Sequence, residues 1–214
     1  GLCHVQDLSA QLACQLLEVK PGQMVCDCCA APGGKTFTLA QALENKGTIY
    51  SFDLYKGRVK LIEKGAQRLG LNCVQAEQRD GLKPYDGLPL MDAVLCDVPC
   101  SGYGVIRRKP EIRYKPVSSI KDLPKIQYGI LENGASLVKP GGFLVYATCT
   151  LNPAENGEVA QRFLCSHPEF EPADFSLPGV ARVVEESAHT LTMLPFAGGS
   201  DGFFAARFRR KGDL

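Results

Sequence analysis

The sequence predicts a doubly wound α/β domain: a mostly parallel, Rossmann-like sheet with helices on both faces and an antiparallel pair closing its C-terminal edge. Three observations carry this. Apolar runs of strand length lie at 24–29, 48–54, 72–78, 92–98 and 142–149. Segments with apolar spacing near 3.6 residues separate or follow them, at 35–45, 56–69, 119–138 and 154–165. Strict alternation of the two periods marks parallel strands joined by crossover helices. The third observation is the tail, where HTLTMLPF (189–196) and GFFAARFRR (202–210) are joined only by turn residues. With no helix between them, the two runs read as an antiparallel pair. The five earlier strands and this pair make seven.

Ahead of the first strand, an amphipathic helix is expected from Ser9 to Leu17, with Lys20-Pro21-Gly22 as its stop. The chain opens on Gly1, not Met, and runs almost at once into this helix, which reads as a fragment of a longer protein. No internal repeat, low-complexity segment or second domain is visible across 1–214.

Composition sets limits on function. In 214 residues, 45% are hydrophobic and 22% charged, which is ordinary for one large domain. The net charge of +1 means that affinity for a polyanion must come from local clustering. No apolar run approaches the roughly 18 residues of a membrane span, and no signal peptide is evident. A cytoplasmic protein without membrane partners is expected.

Ten cysteines raise the question of disulfides or zinc. Cys26, Cys28 and Cys29 crowd into one apolar run, and Cys73 and Cys96 sit inside other candidate strands, where a free thiol behaves as a small hydrophobe. Structural zinc sites pair C-x2-C ligands from two segments, and no second pair is present, so no metal is expected.

In a doubly wound sheet, ligands sit beyond the carboxyl ends of the strands, near the reversal of strand order. The residues at those ends are Asp27 to Lys35, Asp53, Asp80, Asp97 to Gly102 and Thr148 to Pro153. Taken alone, an Asp there is better explained as a helix cap or a solvated loop end. Four successive strand ends carrying one are harder to dismiss. The first loop, DCCAAPGGKT (27–36), lacks both the G-x-G-x-x-G of dinucleotide folds and the full phosphate loop, of which only GGKT survives. Small residues still let a ligand approach the backbone, and Asp53 is placed to bind a ribose diol. A nucleoside without phosphates fits, and S-adenosylmethionine is the obvious candidate.

Two cysteines also fall at strand ends: Cys100 in DVPCSG (97–102) and Cys149 in ATCTLNP (147–153). DCCAAPGGKT, DVPCSG with GVIRRKPEIRY, YATCTLNPAEN and DGFFAARF follow one another in the order of the motifs of the Sun/Fmu-like RNA cytosine-5 methyltransferases. The sequence resembles that family over nearly its whole length, and most resembles its bacterial small-subunit ribosomal RNA members. The resemblance implies a seven-stranded methyltransferase sheet and S-adenosylmethionine as cofactor. It implies a cofactor cradle at Cys29, Ala30, Ala31, Pro32, Gly33, Gly34 and Lys35. Asp53 would hold the ribose, Asp80 would lie near the adenine, and Arg58 and Asp97 would lie beside the cofactor. RDG at 79–81 stands where the family more often has GDG, which leaves Asp80 in place in a loop of altered geometry. Cys149 would be the nucleophile, Cys100 would assist product release, and Asp97 with Lys35 would meet the base. Family members carry more sequence upstream, often an RNA-binding domain.

The chemistry gives these residue types a reason. Carbon 5 of cytosine is a weak nucleophile until a thiolate adds at carbon 6, which splits one hard step into easier ones. A free thiol titrates near pH 8.5, so Cys149 needs help to ionise, from Lys35 or from a helix N-terminus near Pro153. RRKPEIRYK (107–115) places Arg107, Arg108, Lys109, Arg113 and Lys115 beside the Cys100 motif, with Tyr114 available to stack. These five are the expected RNA contacts; RNA, ribosomal by the resemblance, is the expected partner of a monomer. A charge run is otherwise a solvated face. Competing readings are an idle RNA-binding module that keeps the fold, a tRNA methyltransferase, and a DNA-type enzyme in which Cys100 would be the nucleophile.

Overall fold

A computed structural model describes residues 1–177, 184–195 and 199–212. The chain enters through α1 (Leu8–Gln15), where the Asp7 carboxylate accepts from the Ser9 N–H, a cap that satisfies one orphan donor of the first turn. It then alternates: β1 (Met24–Asp27), α2 (Gly34–Ala42), β2 (Thr48–Asp53), α3 (Lys56–Leu69), β3 (Val74–Gln78) and β4 (Met91–Asp97). Three 3-10 turns, at Tyr103–Val105, Pro110–Tyr114 and Val117–Ile120, lead to α4 (Leu123–Ser136) and β5 (Val138–Thr148). The remainder is α5 (Gly157–Ser166), β6 (Phe170–Pro172), β7 (Val184–Ser187), β8 (Thr190–Met193) and β9 (Phe203–Arg210).

The strands form one sheet in the order β3-β2-β1-β4-β5-β9-β8-β7, with β6 also paired to β9. The first five are parallel and all pairings beyond β5 are antiparallel. All seven expected strands are present. The short β6 and β7 raise the total to nine among the described residues, with β6 and β8 sharing the far side of β9. Residues 196–198, part of the expected second-last strand and its turn, lie outside the described residues.

Strand parity explains the two layers. Val25, Ile49, Ala93, Leu95, Val145 and Ala147 pack against α1 and α2, while Cys26, Phe52, Val94, Cys96, Leu144 and Tyr146 pack against α4 and α5. Each large apolar side chain so buried contributes roughly 1.5–3 kcal/mol. Strand order reverses between β1 and β4, so the ends of those two strands, Asp27 and Asp97, flank the crevice where such sheets bind ligands.

Boundaries depart from expectation for local reasons. The expected 154–165 helix starts at Gly157, because Pro153–Glu155 closes as a 3-10 turn under the Asn152 side chain. The expected 119–138 helix starts at Leu123, after a separate 3-10 turn. β5 begins at Val138, earlier than 142, and a register shift opposite Met91 and Ala93 accommodates Pro140-Gly141-Gly142.

Candidate active site

The first loop lies across the sheet crevice. Ala30 N–H donates to the Phe52 carbonyl at 2.8 Å and Gly33 N–H donates to the Ala30 carbonyl at 2.7 Å. Gly33 caps α2 at φ 112°, and a Cβ there would lie 2.3 Å from the Phe37 ring, so the chain can turn this tightly only without a side chain. Cys29 to Gly34 thereby bring backbone to the crevice. Lys35, in the first turn of α2, reaches across to β4, its Nζ 2.6 Å from Asp97 Oδ2.

Three carboxylates line the neighbouring strand ends. Asp53 is nearly buried; its Oδ1 accepts from the Tyr55 N–H at 3.0 Å and its Oδ2 lies 3.4 Å from Arg58 Nη1. Arg58 also donates to the Ala31 carbonyl at 3.0 Å, which ties Asp53 to the first loop. Asp80 is half-buried and accepts from the Leu82 N–H at 3.0 Å, capping its own turn. Arg79, the residue of the RDG departure, folds back over the Phe52 ring and bonds Glu77. Asp27 differs from the other strand-end acids because it faces inward. It is fully buried, its Oδ2 accepts from Thr36 Oγ1 at 2.8 Å, and its Oδ1 has no partner. Burial pushes its carboxyl up to about 7, which marks it as an internal polar group beneath the loop.

The two thiols meet. Cys100 Sγ and Cys149 Sγ are 3.2 Å apart, both half-buried, at the ends of the adjacent strands β4 and β5. The hydrogen bond from Cys100 holds Cys149 below the usual thiol range against its burial, and Lys35 adds to the lowering. The same bond, and then burial, push Cys100 up. Burial opposes the Lys35 charge, but the Asp97 carboxylate and its hydrogen bond overcome it, so Lys35 is held above its usual range. The arrangement therefore favours one thiolate, Cys149, beside a thiol and a fixed cation–carboxylate pair. The backbone is equally close: Gly104 N–H donates to the Cys149 carbonyl at 3.0 Å, and Gly202 N–H donates to the Gly104 carbonyl at 2.8 Å.

The basic segment keeps fewer free charges than its composition promised. Arg108 forms an ion pair with the nearly buried Asp201, Arg107 donates to the Gly199 carbonyl, and Lys115 donates to the Ser101 carbonyl at 3.1 Å. Lys109 is exposed, and exposed Arg113 lies 5.8 Å from the Tyr114 ring. Tyr114 itself is 79% exposed.

Sequence reasoning missed Glu155, Gln127 and Asn156, which are buried between the cysteine turns. Glu155 and Asn156 belong to the quoted NPAEN, so their place directly after the Cys149 motif was the available signal; Gln127 carried none. Among the described residues, no group of three or more His, Cys, Asp or Glu could hold a metal ion, and no helix is long and apolar enough to cross a membrane.

This fold, with a glycine-tight loop after β1 and acids at the following strand ends, defines the S-adenosylmethionine-dependent methyltransferase class. The residues suit that cofactor. Lys35 is already neutralised by Asp97 and Arg58 by Asp53, so the mouth keeps no unpaired cation of this set for a phosphate.

Within the class, residues 14–209 match the family model described as 16S rRNA methyltransferase RsmB/F, and the chain belongs to that family. "Probable ribosomal RNA small subunit methyltransferase B" of Bacillus subtilis is 44% identical over 220 residues, covering 99% of this chain and 48% of that protein. Ribosomal RNA small subunit methyltransferase F of Pectobacterium atrosepticum is 34% identical, covering 100% of this chain and 46% of its own length. The chain spans about half the length of the curated relatives it matches. Among solved structures, that of PH0851 superposes with a TM-score of 0.90 at 36% identity, over 97% of this chain and 47% of that one. NSun6 from Pyrococcus horikoshii, solved with SFG, an S-adenosylmethionine analogue, gives 0.87 at 29% identity, over 98% and 53%.

Proposed function

We propose that the chain is the catalytic domain of an RNA cytosine-5 methyltransferase acting on small-subunit ribosomal RNA in the cytoplasm. The observation that carries this is the Cys100–Cys149 contact of 3.2 Å beside the Lys35–Asp97 pair. The names of the relatives support the RNA.

In this reading Cys149 thiolate adds to carbon 6 of a cytosine held out of its stack, forming an Sγ–carbon bond and moving the ring electrons toward carbon 5. The N3 and amino edge, where charge develops, meets one donor and one acceptor from Lys35 and Asp97. S-adenosylmethionine, when bound, supplies the electrophilic methyl group. Cys100 then promotes loss of the carbon 5 proton, as the base or by organising it. That electron pair restores the ring double bond while the Cys149–carbon bond breaks, returning the thiolate. Labelled methyl transfer to unmodified ribosomal RNA, followed by mapping of 5-methylcytosine, tests the reading, and an absence of transfer would favour the idle module.

Asp53 is assigned to the ribose hydroxyls, with Arg58 holding it against the Ala31 loop. Asp53→Ala removes two charge-assisted hydrogen bonds worth roughly 1.5–3 kcal/mol each, so affinity for S-adenosylmethionine should fall by at least about 100-fold in calorimetry. An unchanged affinity removes Asp53 from the site. Asp80 remains assigned to the adenine side.

For RNA contact we assign Lys109 and Arg113 the principal roles. Arg107, Arg108 and Lys115 are exposed too but already hold the contacts described above, so less of their donor capacity is free for RNA. Joint replacement of Lys109 and Arg113 by Ala should reduce the salt slope of RNA binding by about 0.7 per lost contact if the RNA is single-stranded there. An unaltered slope would return the segment to the solvated-face reading.

A further inference from the structure

Glu155 is fully buried just beyond the Cys149 turn, and its carboxylate meets three neutral donors from three parts of the chain. Oε2 accepts from the Ser101 N–H at 2.8 Å and from Gln127 Nε2 at 2.9 Å; Oε1 accepts from Asn152 Nδ2 at 2.9 Å. Ser101 follows Cys100 directly, Asn152 lies three residues after Cys149, and Gln127 belongs to α4. Gln127 Nε2 also donates to the Pro99 carbonyl at 3.0 Å, so both flanks of Cys100 are held. A second brace joins the same turns through Ser101 Oγ and Thr150 Oγ1 at 2.7 Å.

Burying a carboxylate is costly even where donors meet it, and this one is buried where three segments of the chain converge. The cost becomes intelligible if the anion does something its neighbours cannot. It is the one ionisable group among these braces, and it reaches both cysteine turns at once.

We propose that Glu155 is a positioning residue for the thiol pair, clamping the Cys100 turn onto the Cys149 turn so that elimination can follow methylation without rearrangement. The proposal rests on the roles given above to Cys100 and Cys149. Loosening the clamp moves Cys100 relative to Cys149 and leaves the cofactor loops alone, because none of the donors to Glu155 belongs to residues 27–97.

Glu155→Gln keeps the shape, removes the charge and turns an N–H toward a cluster of N–H donors. Two readouts test it. In a glutathione buffer, two electrons and two protons leave Cys100 and Cys149 as one oxidised glutathione becomes two reduced ones. Mass spectrometry of the linked peptide then reports the effective concentration of one thiol at the other, which should fall about tenfold, the change expected for one lost hydrogen bond to a charged group. With in vitro transcribed small-subunit ribosomal RNA, the variant should lower kcat, leave KM for S-adenosylmethionine unchanged, and accumulate the denaturant-resistant protein–RNA adduct. Gln127→Met, which removes one donor from the same carboxylate, should do both more weakly and decides the matter on the same readouts if Glu155→Gln does not fold. A folded variant with unchanged effective concentration and no excess adduct overturns the clamp. The disulfide equilibrium involves no RNA. It therefore judges the clamp even if Cys100→Ala traps nothing, an outcome that would count against the functional reading alone.

Discussion

Cys149→Ala is expected to bind cofactor and RNA yet form neither 5-methylcytosine nor a covalent complex, whereas Cys100→Ala is expected to accumulate a protein–RNA complex that survives denaturing electrophoresis and disappears on RNase treatment. The opposite signatures follow from where each thiol sits in the sequence of steps. Without Cys149 no carbon 6 bond forms. Without Cys100 the bond forms and the ring is methylated, but elimination stalls. The two sulfurs lie only 3.2 Å apart, so it is these opposite signatures, and not position alone, that tell their roles apart. Adding Cys149→Ala to the Cys100 variant should abolish the trapped complex. If the Cys149 variant traps RNA while the Cys100 variant is clean, the DNA-type order of roles is right. If neither variant differs from the parent in turnover, both cysteines are structural.

Asp97→Asn should lower kcat by about 10²–10³-fold, the range associated with a preorganised hydrogen-bonding group at the developing charge. Its carboxylate is what keeps Lys35 charged against burial. With that partner neutral, desolvation becomes the dominant influence on Lys35 and its pKa drops. A depressed ammonium is lost as pH rises through the new value, so the residual activity of Asp97→Asn should decline with rising pH. Steady-state kinetics across pH, with calorimetry of S-adenosylmethionine at each point, checks both parts. A loss confined to cofactor affinity would leave Asp97 as a cofactor contact and take it out of the chemistry.

The strand segments along the chain and their carboxyl ends were legible because they depend on local pattern. A run such as MDAVLCD announces β4 and its terminal Asp97 without any distant partner. What failed to show was whatever depended on partners far along the chain. Arg108 looked like part of a free basic arm, yet its carboxylate, Asp201, lies 93 residues away. Asp27 looked like the other strand-end acids, yet the Thr36 hydroxyl, itself held by Ser51 on the neighbouring strand, draws it inward as a buried group. Glu155 fell within the expected 154–165 helix with nothing to single it out, because its donors Ser101 and Gln127 are 54 and 28 residues away. β6 spans only Phe170–Pro172 and exists because β9 offers it an edge, which no three-residue pattern can announce.

The contact between Gly104 and Gly202 bears on when the thiol turn can form during synthesis. A Cβ on Gly104 would lie 2.0 Å from the Gly202 carbonyl oxygen, so the two backbones touch, and Gly104 in turn holds the Cys149 carbonyl. Three layers of chain, near residues 104, 149 and 202, must stack before the thiol turn has its final shape. On a ribosome the loops assigned to the cofactor, ending at Asp97, emerge roughly 100 residues before Gly202, which is about 5–20 s of synthesis. The loops assigned to the cofactor are thus synthesised while the two cysteines still lack their third layer. The thiol turn takes its final shape only once the chain has been made as far as Gly202.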